Sequence, residues 1–164
     1  MAMVMQTDST VMQPQLPLSL DPKDDKPGFL SVLCVSEDPL FRDRICRNLE
    51  RGGSIFIEIA VTADDALHLM AYLFFDAVVT DCVTWRGKEH GFLQAMREQG
   101  IRIPFVYFIK TPVTRIPKEA ARFNRVRSVP WNGHPDTWQF DNLLRCIHEL
   151  TDGRTGDRSP GTSA

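Results

Sequence analysis

The chain has 164 residues, of which 43% are hydrophobic and 24% charged, and its formal net charge is -2 at pH 7. This length predicts a single domain with one core, and the small charge disfavours general binding to nucleic acid or to acidic membranes. No apolar run is long enough to cross a bilayer, and the first residues lack both a basic leader and a continuous apolar core. We therefore expect a cytoplasmic protein without a secretory signal.

Composition divides the chain into three segments. Residues 1–28 are rich in proline and polar residues, and residues 151–164 are rich in glycine and charged residues. Neither segment can bury enough apolar surface to offset the entropy of ordering it, so both are predicted to be disordered. Residues 29–150 carry regular hydrophobic patterns and are predicted to form the folded domain.

The first half of the domain alternates strand and helix signals. The apolar run at 30–35 predicts a first strand, and Asp38 followed by Pro39 is typical of a helix start. Alternating apolar residues at 55–61 predict a second strand. A capping signal then predicts a helix whose core face carries Ala66, Leu67, Met70, Ala71 and Phe74.

The second half continues this alternation. Residues 76–80 are apolar nearly throughout, as expected of a strand covered on both faces. The remaining predicted elements are a helix at 91–98, a buried strand at 103–109, a short helix at 117–123, a weak strand at 127–129 and a final helix ending near Leu150. Five strands that alternate with helices predict a doubly wound α/β fold with a parallel sheet, and the common order for five strands is the flavodoxin-like 2-1-3-4-5.

Acidic residues follow two of the predicted strands. Ser36, Glu37 and Asp38 come directly after the first strand, and Asp81 comes directly after the third. In the order 2-1-3-4-5 these strands are neighbours at the point where the winding reverses, which is where open α/β folds bind ligands. Carboxylates that converge there repel one another and can recruit a cation such as Mg²⁺. A carboxylate such as Asp81 can then attack a phosphorus atom and form an acyl phosphate.

Three segments carry a resemblance to a known family, at residues 33–39, 75–81 and 103–108. The block 29–150 that contains them, about three quarters of the chain, resembles the receiver domain of two-component response regulators. It implies a flavodoxin-like receiver fold in which Asp81 is the phosphoacceptor. It also implies a weak Mg²⁺ site formed by Glu37, Asp81 and the carbonyl of Val83.

The chain departs from the family pattern within the pocket. The family's pair of acids after the first strand is replaced by Ser36 and Glu37. The family's Ser or Thr at the end of the fourth strand falls at Ile109, and its Lys after the fifth strand falls at Trp131. Loss of one preorganised donor typically costs about 10²- to 10³-fold in rate. Because two donors are replaced, the resemblance predicts a degenerate receiver.

Three basic residues near the pocket could compensate for the missing charge. Lys110 follows Ile109 directly, and Arg86 and Lys88 lie in the loop after Asp81, which is about two residues longer than is usual in the family. Basic residues in such loops more often lie in solvent. Both interpretations of these three residues stay open at this point.

The predicted function is that of a stand-alone receiver-like module of a two-component phosphorelay. We expect it to act through protein-protein contacts and not as an enzyme, with Asp81 as a vestigial or slow phosphoacceptor. One alternative is a functional, phosphorylated response regulator. A less favoured alternative is a phosphatase, since Asp81 and the residues after it distantly resemble the nucleophile loop of haloacid-dehalogenase-like enzymes. Those enzymes carry a second Asp two residues later, where this chain has Val83.

The expected partners are a histidine kinase or another signalling protein. A homodimer through the face from the fourth strand to the last helix is also considered, because receivers dimerise or meet targets there. Six basic residues but one acid lie between residues 110 and 127, which indicates either a docking face for an acidic partner or a solvated surface. Contacts with membranes or nucleic acid are not expected.

Overall fold

The computed structural model of the protein describes residues 28–110, 125–134 and 137–156. Its elements are β1 (Leu30–Val35), α1 (Pro39–Leu49), β2 (Ile55–Ala60), α2 (Ala63–Met70), β3 (Ala77–Thr80), β4 (Thr84–Trp85), β5 (Lys88–Glu89), α3 (Gly91–Glu98), β6 (Phe105–Ile109), β7 (Val126–Pro130) and α4 (Thr137–Gly156). The predicted helix at 117–123 lies outside the described residues, as do nearly all of the predicted N-terminal arm and the last eight residues of the predicted tail.

The five longer strands form one sheet in the order β2-β1-β3-β6-β7. Every neighbouring pair in this sheet is parallel. The predicted doubly wound sheet and its order are therefore confirmed. β1 and β3 pair with Val35 opposite Thr80, so the segments that follow the two strands leave the sheet side by side at one edge.

Helices cover both faces of the sheet. On one face, α1 and α4 pack against inward-facing residues of every strand, among them Val32, Ile55, Val79, Phe108 and Val129. On the other face, α2 and α3 cover Leu33, Ala60, Val78, Phe105 and Tyr107. All four residues of β3 are buried, as the apolar run predicted for a central strand.

The starts of α1 and α2 are where the capping signals placed them. The Asp38 carboxylate accepts a hydrogen bond from the Leu40 N–H at 2.9 Å. The Thr62 hydroxyl accepts one from the Asp65 N–H at 3.1 Å. Each cap satisfies a backbone donor that the first turn of a helix leaves without a partner. The caps thereby set where the chain turns away from the carboxyl edge of the sheet.

The end of α2 differs from the prediction. The helix stops at Met70, and the N–H groups of Tyr72 and Leu73 bond back to the carbonyl of Leu69 in a tight turn. As a result Phe75 enters the core, whereas Phe74 is 98% exposed. The prediction that Ala71 and Phe74 face the core is wrong, because both residues are exposed and it extended the helical repeat beyond the point where the helix ends.

The last helix is longer than the sequence indicated. α4 continues to Gly156, so the first six residues of the segment 151–164 lie in the helix. Among the described residues, no helix combines the length and the apolar character needed to span a bilayer.

Thr80 joins the ends of β1 and β3. Its hydroxyl donates to the carbonyl of Val35 at 2.7 Å and accepts a hydrogen bond from the Cys82 N–H at 2.9 Å. The side chain is fully buried, so water cannot replace either bond. Thr80 therefore holds the loop that carries Asp81 against the end of β1.

Replacing Thr80 with Val keeps the shape of the side chain but removes both hydrogen bonds. We expect Thr80→Val to lower the free energy of unfolding by about 1–3 kcal/mol, because it leaves buried backbone groups without partners. Urea denaturation gives this difference as a shift of the midpoint. The matched control is Thr84→Val at an exposed position, which should change stability by less than about 0.5 kcal/mol. Equal midpoints for the two variants would contradict the role given to Thr80.

Candidate functional site

A pocket of about 420 Å³ lies at the carboxyl edge of the sheet. It is formed by the segments that follow β1, β2 and β3. Four acids and one base are among the described residues that line it, namely Glu37, Asp38, Asp64, Asp81 and Arg86. Glu37 and Asp81, the two carboxylates expected to flank the crevice, thus both line one pocket.

Ser36 links the two central strands inside this pocket. Its hydroxyl donates to Oδ2 of Asp81 at 3.0 Å and accepts a hydrogen bond from the Asp38 N–H at the same distance. The Ser36 carbonyl accepts a hydrogen bond from the Arg42 guanidinium at 2.9 Å. Because Ser36 is almost wholly buried, its single hydroxyl proton is committed to Asp81. One oxygen of the candidate phosphoacceptor is therefore already occupied by a neutral donor.

The Asp81 carboxyl lies in an environment that disfavours its ionised form. Burial raises its pKa above the ordinary value, and the negative charges of Asp38 and Glu37 raise it further. The hydrogen bond from Ser36 and a backbone hydrogen bond oppose this shift, but they do not cancel it. The pocket thus holds more negative charge than its own donors neutralise.

The loop after Asp81 forms a small hairpin that the sequence analysis did not identify. β4 and β5 pair antiparallel, with Trp85 opposite Lys88. The two residues between them, Arg86 and Gly87, both have positive φ, at 55° and 73°. Such a two-residue turn matches the twist of paired strands. The Arg-Gly step between two short polar segments was the available signal for it.

The tip of this hairpin is tied to the start of α2 across the pocket. The Arg86 guanidinium lies 2.7 Å from Oδ1 of Asp64 and 4.4 Å from the ring centroid of Trp85. Both partners of the ion pair are more than half exposed, so the pair itself stabilises the fold little. Its effect is to hold Arg86, which among the described residues is the one basic group lining the pocket, against an acid.

The other two candidate basic residues do not line the pocket. The Lys110 side chain lies over Gly133, where a Cβ atom would come within 2.8 Å of the lysine Cε. Lys88 is exposed on β5. Of the three residues considered as compensating charges, Arg86 is the one that the structure brings to the site.

Trp131 lies in the core, at the position that resemblance assigns to a lysine. Its ring stacks on Phe108 with centroids 5.5 Å apart and meets the edge of Phe41 at 5.2 Å. The backbone N–H of Trp131 donates to the carbonyl of Ile109 at 3.0 Å. Ile109 is also buried, against the α2–α3 side of the sheet. Both side chains are therefore packed into the core. A change of rotamer would not bring either of them into the pocket as a hydrogen-bond donor.

The carbonyl of Val83, the third expected metal ligand, accepts a hydrogen bond from the His90 N–H at 2.7 Å. Among the described residues, no group of three or more His, Cys, Asp or Glu side chains is arranged to hold a metal ion. A hydroxyl also stands where resemblance places an acid, and it already occupies one oxygen of Asp81. Mg²⁺ is bound by several oxygen ligands and prefers carboxylates, and with Ser36 in the place of one acid this pocket offers fewer of them than the resemblance expects. The weak magnesium site at Glu37, Asp81 and the carbonyl of Val83 stays a prediction.

His90 is a further feature that sequence reasoning missed. It is buried at the start of α3 with a left-handed backbone, and its Nδ1 lies 2.7 Å from the hydroxyl of Tyr107. This pair fastens the end of the hairpin to β6. The two partners are 17 positions apart in the sequence, so no local pattern reveals the contact.

The chain shares its fold with several solved response regulators and receiver domains. No protein-family model and no curated protein matches the chain. The receiver domain of a Francisella response regulator superimposes with a TM-score of 0.59 at 20% identity, over 76% of this chain and 98% of that one. The chemotaxis response regulator CheY4 of Vibrio cholerae gives 0.53 at 19% identity, over 72% and 98%. The N-terminal domain of a three-domain response regulator from Carboxydothermus hydrogenoformans gives 0.60 at 16%, over 79% and 99%. The chain thus has the receiver fold.

The raised pKa of Asp81 makes a prediction about stability. A carboxyl whose folded pKa lies above the ordinary 3.8 destabilises the fold when ionised, and this cost is absent below that pH. Asp81→Asn cannot ionise, so it should raise the free energy of unfolding at pH 7. Its advantage should fade as the pH falls toward 3.8. Urea midpoints measured between these two pH values test this.

The control for this experiment is Asp141→Asn, at an exposed acid on α4. It should change the midpoint little at either pH. If Asp81→Asn were less stable than the wild type at pH 7, the hydrogen bonds of the ionised carboxylate would outweigh the cost of burying it. That result would contradict the prediction.

Proposed function

We propose that the protein is a receiver-like signalling module that acts through protein-protein contacts, with Asp81 as a vestigial or slow phosphoacceptor. The observation that carries this proposal is the hydrogen bond from Ser36 to Asp81 at 3.0 Å. In that arrangement a neutral hydroxyl stands where the resemblance expects an acid that helps to bind a cation. The receiver fold is retained, while the groups that would drive phosphorylation are not.

Electrostatics support the loss of phosphotransfer. A transferring phosphoryl group carries negative charge on its oxygens and is stabilised chiefly by positioned cations and donors. Here the described lining residues include four acids and one arginine, and that arginine is paired with Asp64. An incoming phosphoryl donor would therefore meet net negative charge. With a cost of about 10²- to 10³-fold for each missing donor, the reaction is expected to be very slow.

The readout of phosphorylation is also affected. In receivers, by resemblance, the hydroxyl at the end of the fourth strand bonds to the phosphoryl group and reports its arrival. The corresponding Ile109 has no donor and is buried. A phosphoryl group on Asp81 would then lack the contact that links it to the rest of the domain. We infer that the module presents its binding surfaces in one state.

The proposed partners are a histidine kinase or another signalling protein. The face from β6 to α4 is the proposed contact surface, and a homodimer through it is a further proposal. Between β7 and α4 this face carries a groove of about 290 Å³. Its charged lining residues are Arg127, Arg145 and Glu149. Most of the basic stretch 110–127 lies outside the described residues, so its role in docking an acidic partner stays a prediction.

The second candidate function is a phosphorylated response regulator. It is favoured by the position of Asp81, which lines the open pocket at the carboxyl edge beside Arg86. A phosphatase is less favoured, because the place of its second Asp, which acts as acid and base, is taken by Val83, whose side chain can neither give nor accept a proton.

Treatment of the full chain with acetyl phosphate and Mg²⁺, followed by intact mass measurement, distinguishes these functions. We expect little or no phosphorylation of the wild type. The double variant Ser36→Asp, Ile109→Thr restores one acid and one donor, and it should be phosphorylated at least a hundredfold faster. Adding Asp81→Asn to the double variant should abolish this gain.

Two results would contradict the proposal. Rapid modification of the wild type that depends on Asp81 would show a functional response regulator. Sustained release of phosphate from phosphate esters would show a phosphatase.

Trp85 lines the pocket, so its fluorescence reports changes there, and Trp85→Phe identifies the part of the signal that comes from this residue.

A further inference from the structure

An exposed apolar surface lies at the end of the sheet opposite the acidic pocket. We call it the aromatic patch, and it consists of five residues: Phe29 (63% exposed), Phe56 (57%), Tyr72 (76%), Leu73 (46%) and Phe74 (98%). Phe29 precedes β1, and the last three residues lie in the turn between α2 and β3. Because the strands are parallel, these positions are all near the ends where strands begin.

The patch has two parts, Phe29 with Phe56 and the turn that contains Phe74, and contacts with β1 place both parts near the start of this strand. Phe56 lies opposite Ser31 in the sheet, and its ring centroid is 5.1 Å from that of Phe29. The Ser31 N–H donates to the Asp76 carboxylate at 2.8 Å, and the Asp76 N–H donates to the Ser31 carbonyl at 2.7 Å. This clamp places the turn that contains Phe74 beside the start of β1.

The exposed aromatic area of the patch is at the upper end of what an isolated domain normally shows. Taking about 200 Å² for a fully exposed aromatic side chain, the four rings leave about 600 Å² uncovered. Single domains rarely expose a contiguous apolar area larger than a few hundred square ångströms, and larger ones usually mark binding sites. The turn after α2 produces this exposure, because it buries Phe75 and leaves Phe74 in solvent.

We propose that the aromatic patch is the docking surface for a second copy of this chain. A stable interface buries about 800 Å² on each partner, and the four rings with Leu73 and their surroundings approach that area. The five side chains carry no charge, so two copies of the patch can meet around a two-fold axis without like charges facing each other. On dimerisation each aromatic ring would lose its contact with water and pack against the aromatic patch of the second copy.

The contact is made by side chains and not by pairing of sheet edges. β2 is an edge strand of the sheet, and the N–H of Ile57, which points away from β1, is bonded to the Glu50 carboxylate at 2.9 Å. The Glu50 side chain thus occupies the backbone N–H of Ile57, with which an added strand would have to pair. The patch is also distant from β7, at the opposite edge of the sheet. The inference therefore does not depend on the proposed function.

Sedimentation equilibrium of the full chain, from low to high micromolar concentrations, tests the proposal. We expect a reversible dimer of the wild type. Phe74→Ser and Phe56→Thr should each raise the dissociation constant at least tenfold, because each removes an aromatic contact from the interface. The matched control is Trp138→Ser, at an exposed aromatic residue on α4 outside the patch, which should leave the constant unchanged.

Thermal unfolding of each variant shows whether the fold is intact. Phe74 is almost fully exposed, so Phe74→Ser should leave the monomer's stability nearly unchanged. A monomeric wild type throughout the concentration range would overturn the proposal. A dimer that withstands Phe74→Ser and Phe56→Thr, or that is weakened instead by Trp138→Ser or Arg127→Glu, would also overturn it and would place the interface on the β6–α4 face.

Discussion

The hydrogen bond between the Ser36 hydroxyl and the Asp81 carboxylate is the contact on which the candidate site depends. It exists because β1 and β3 are adjacent and in register, so the residues that follow them meet at one edge. A neutral hydroxyl stabilises a carboxylate much less than a cation does, and Asp38 and Glu37 add negative charge nearby. The structure thus brings these acids together at the carboxyl edge of the sheet while leaving their charge poorly neutralised.

Close packing makes it difficult to replace Trp131 and Ile109 with residues that could donate hydrogen bonds to the pocket. Trp131 is enclosed by Phe41 and Phe108, and Ile109 is part of the opposite core layer. A lysine in place of Trp131 would remove a large ring from a close-packed interior. The side chains at the two positions where the resemblance expects donors are therefore linked to the stability of the domain. The two proposed contact surfaces, the β6–α4 face and the aromatic patch, lie outside the pocket and on different parts of the molecule.

Hydrophobic periodicity predicted the strands of the sheet, the common order for five such strands predicted their arrangement, and capping residues predicted the helix starts at Asp38 and Thr62. These features follow from local patterns and from the rules for parallel connections. The end of α2 was not predictable in the same way, because Phe74 continues the apolar repeat although the helix has ended at Met70. The Ser36–Asp81 bond joins residues 45 positions apart. The sequence indicated that their strands are neighbours, but only the structure shows which oxygen the hydroxyl contacts.

The central claim, that Ser36 takes the place of a metal-binding acid, is tested most directly by NMR with the full-length chain. Backbone amide shifts would be recorded while Mg²⁺ is added up to millimolar concentrations, for the wild type and for Ser36→Asp. We predict no saturable shift at residues 36, 37 and 81 in the wild type, and saturable shifts there once the acid is introduced. Saturable shifts at these amides in the wild type would contradict the account.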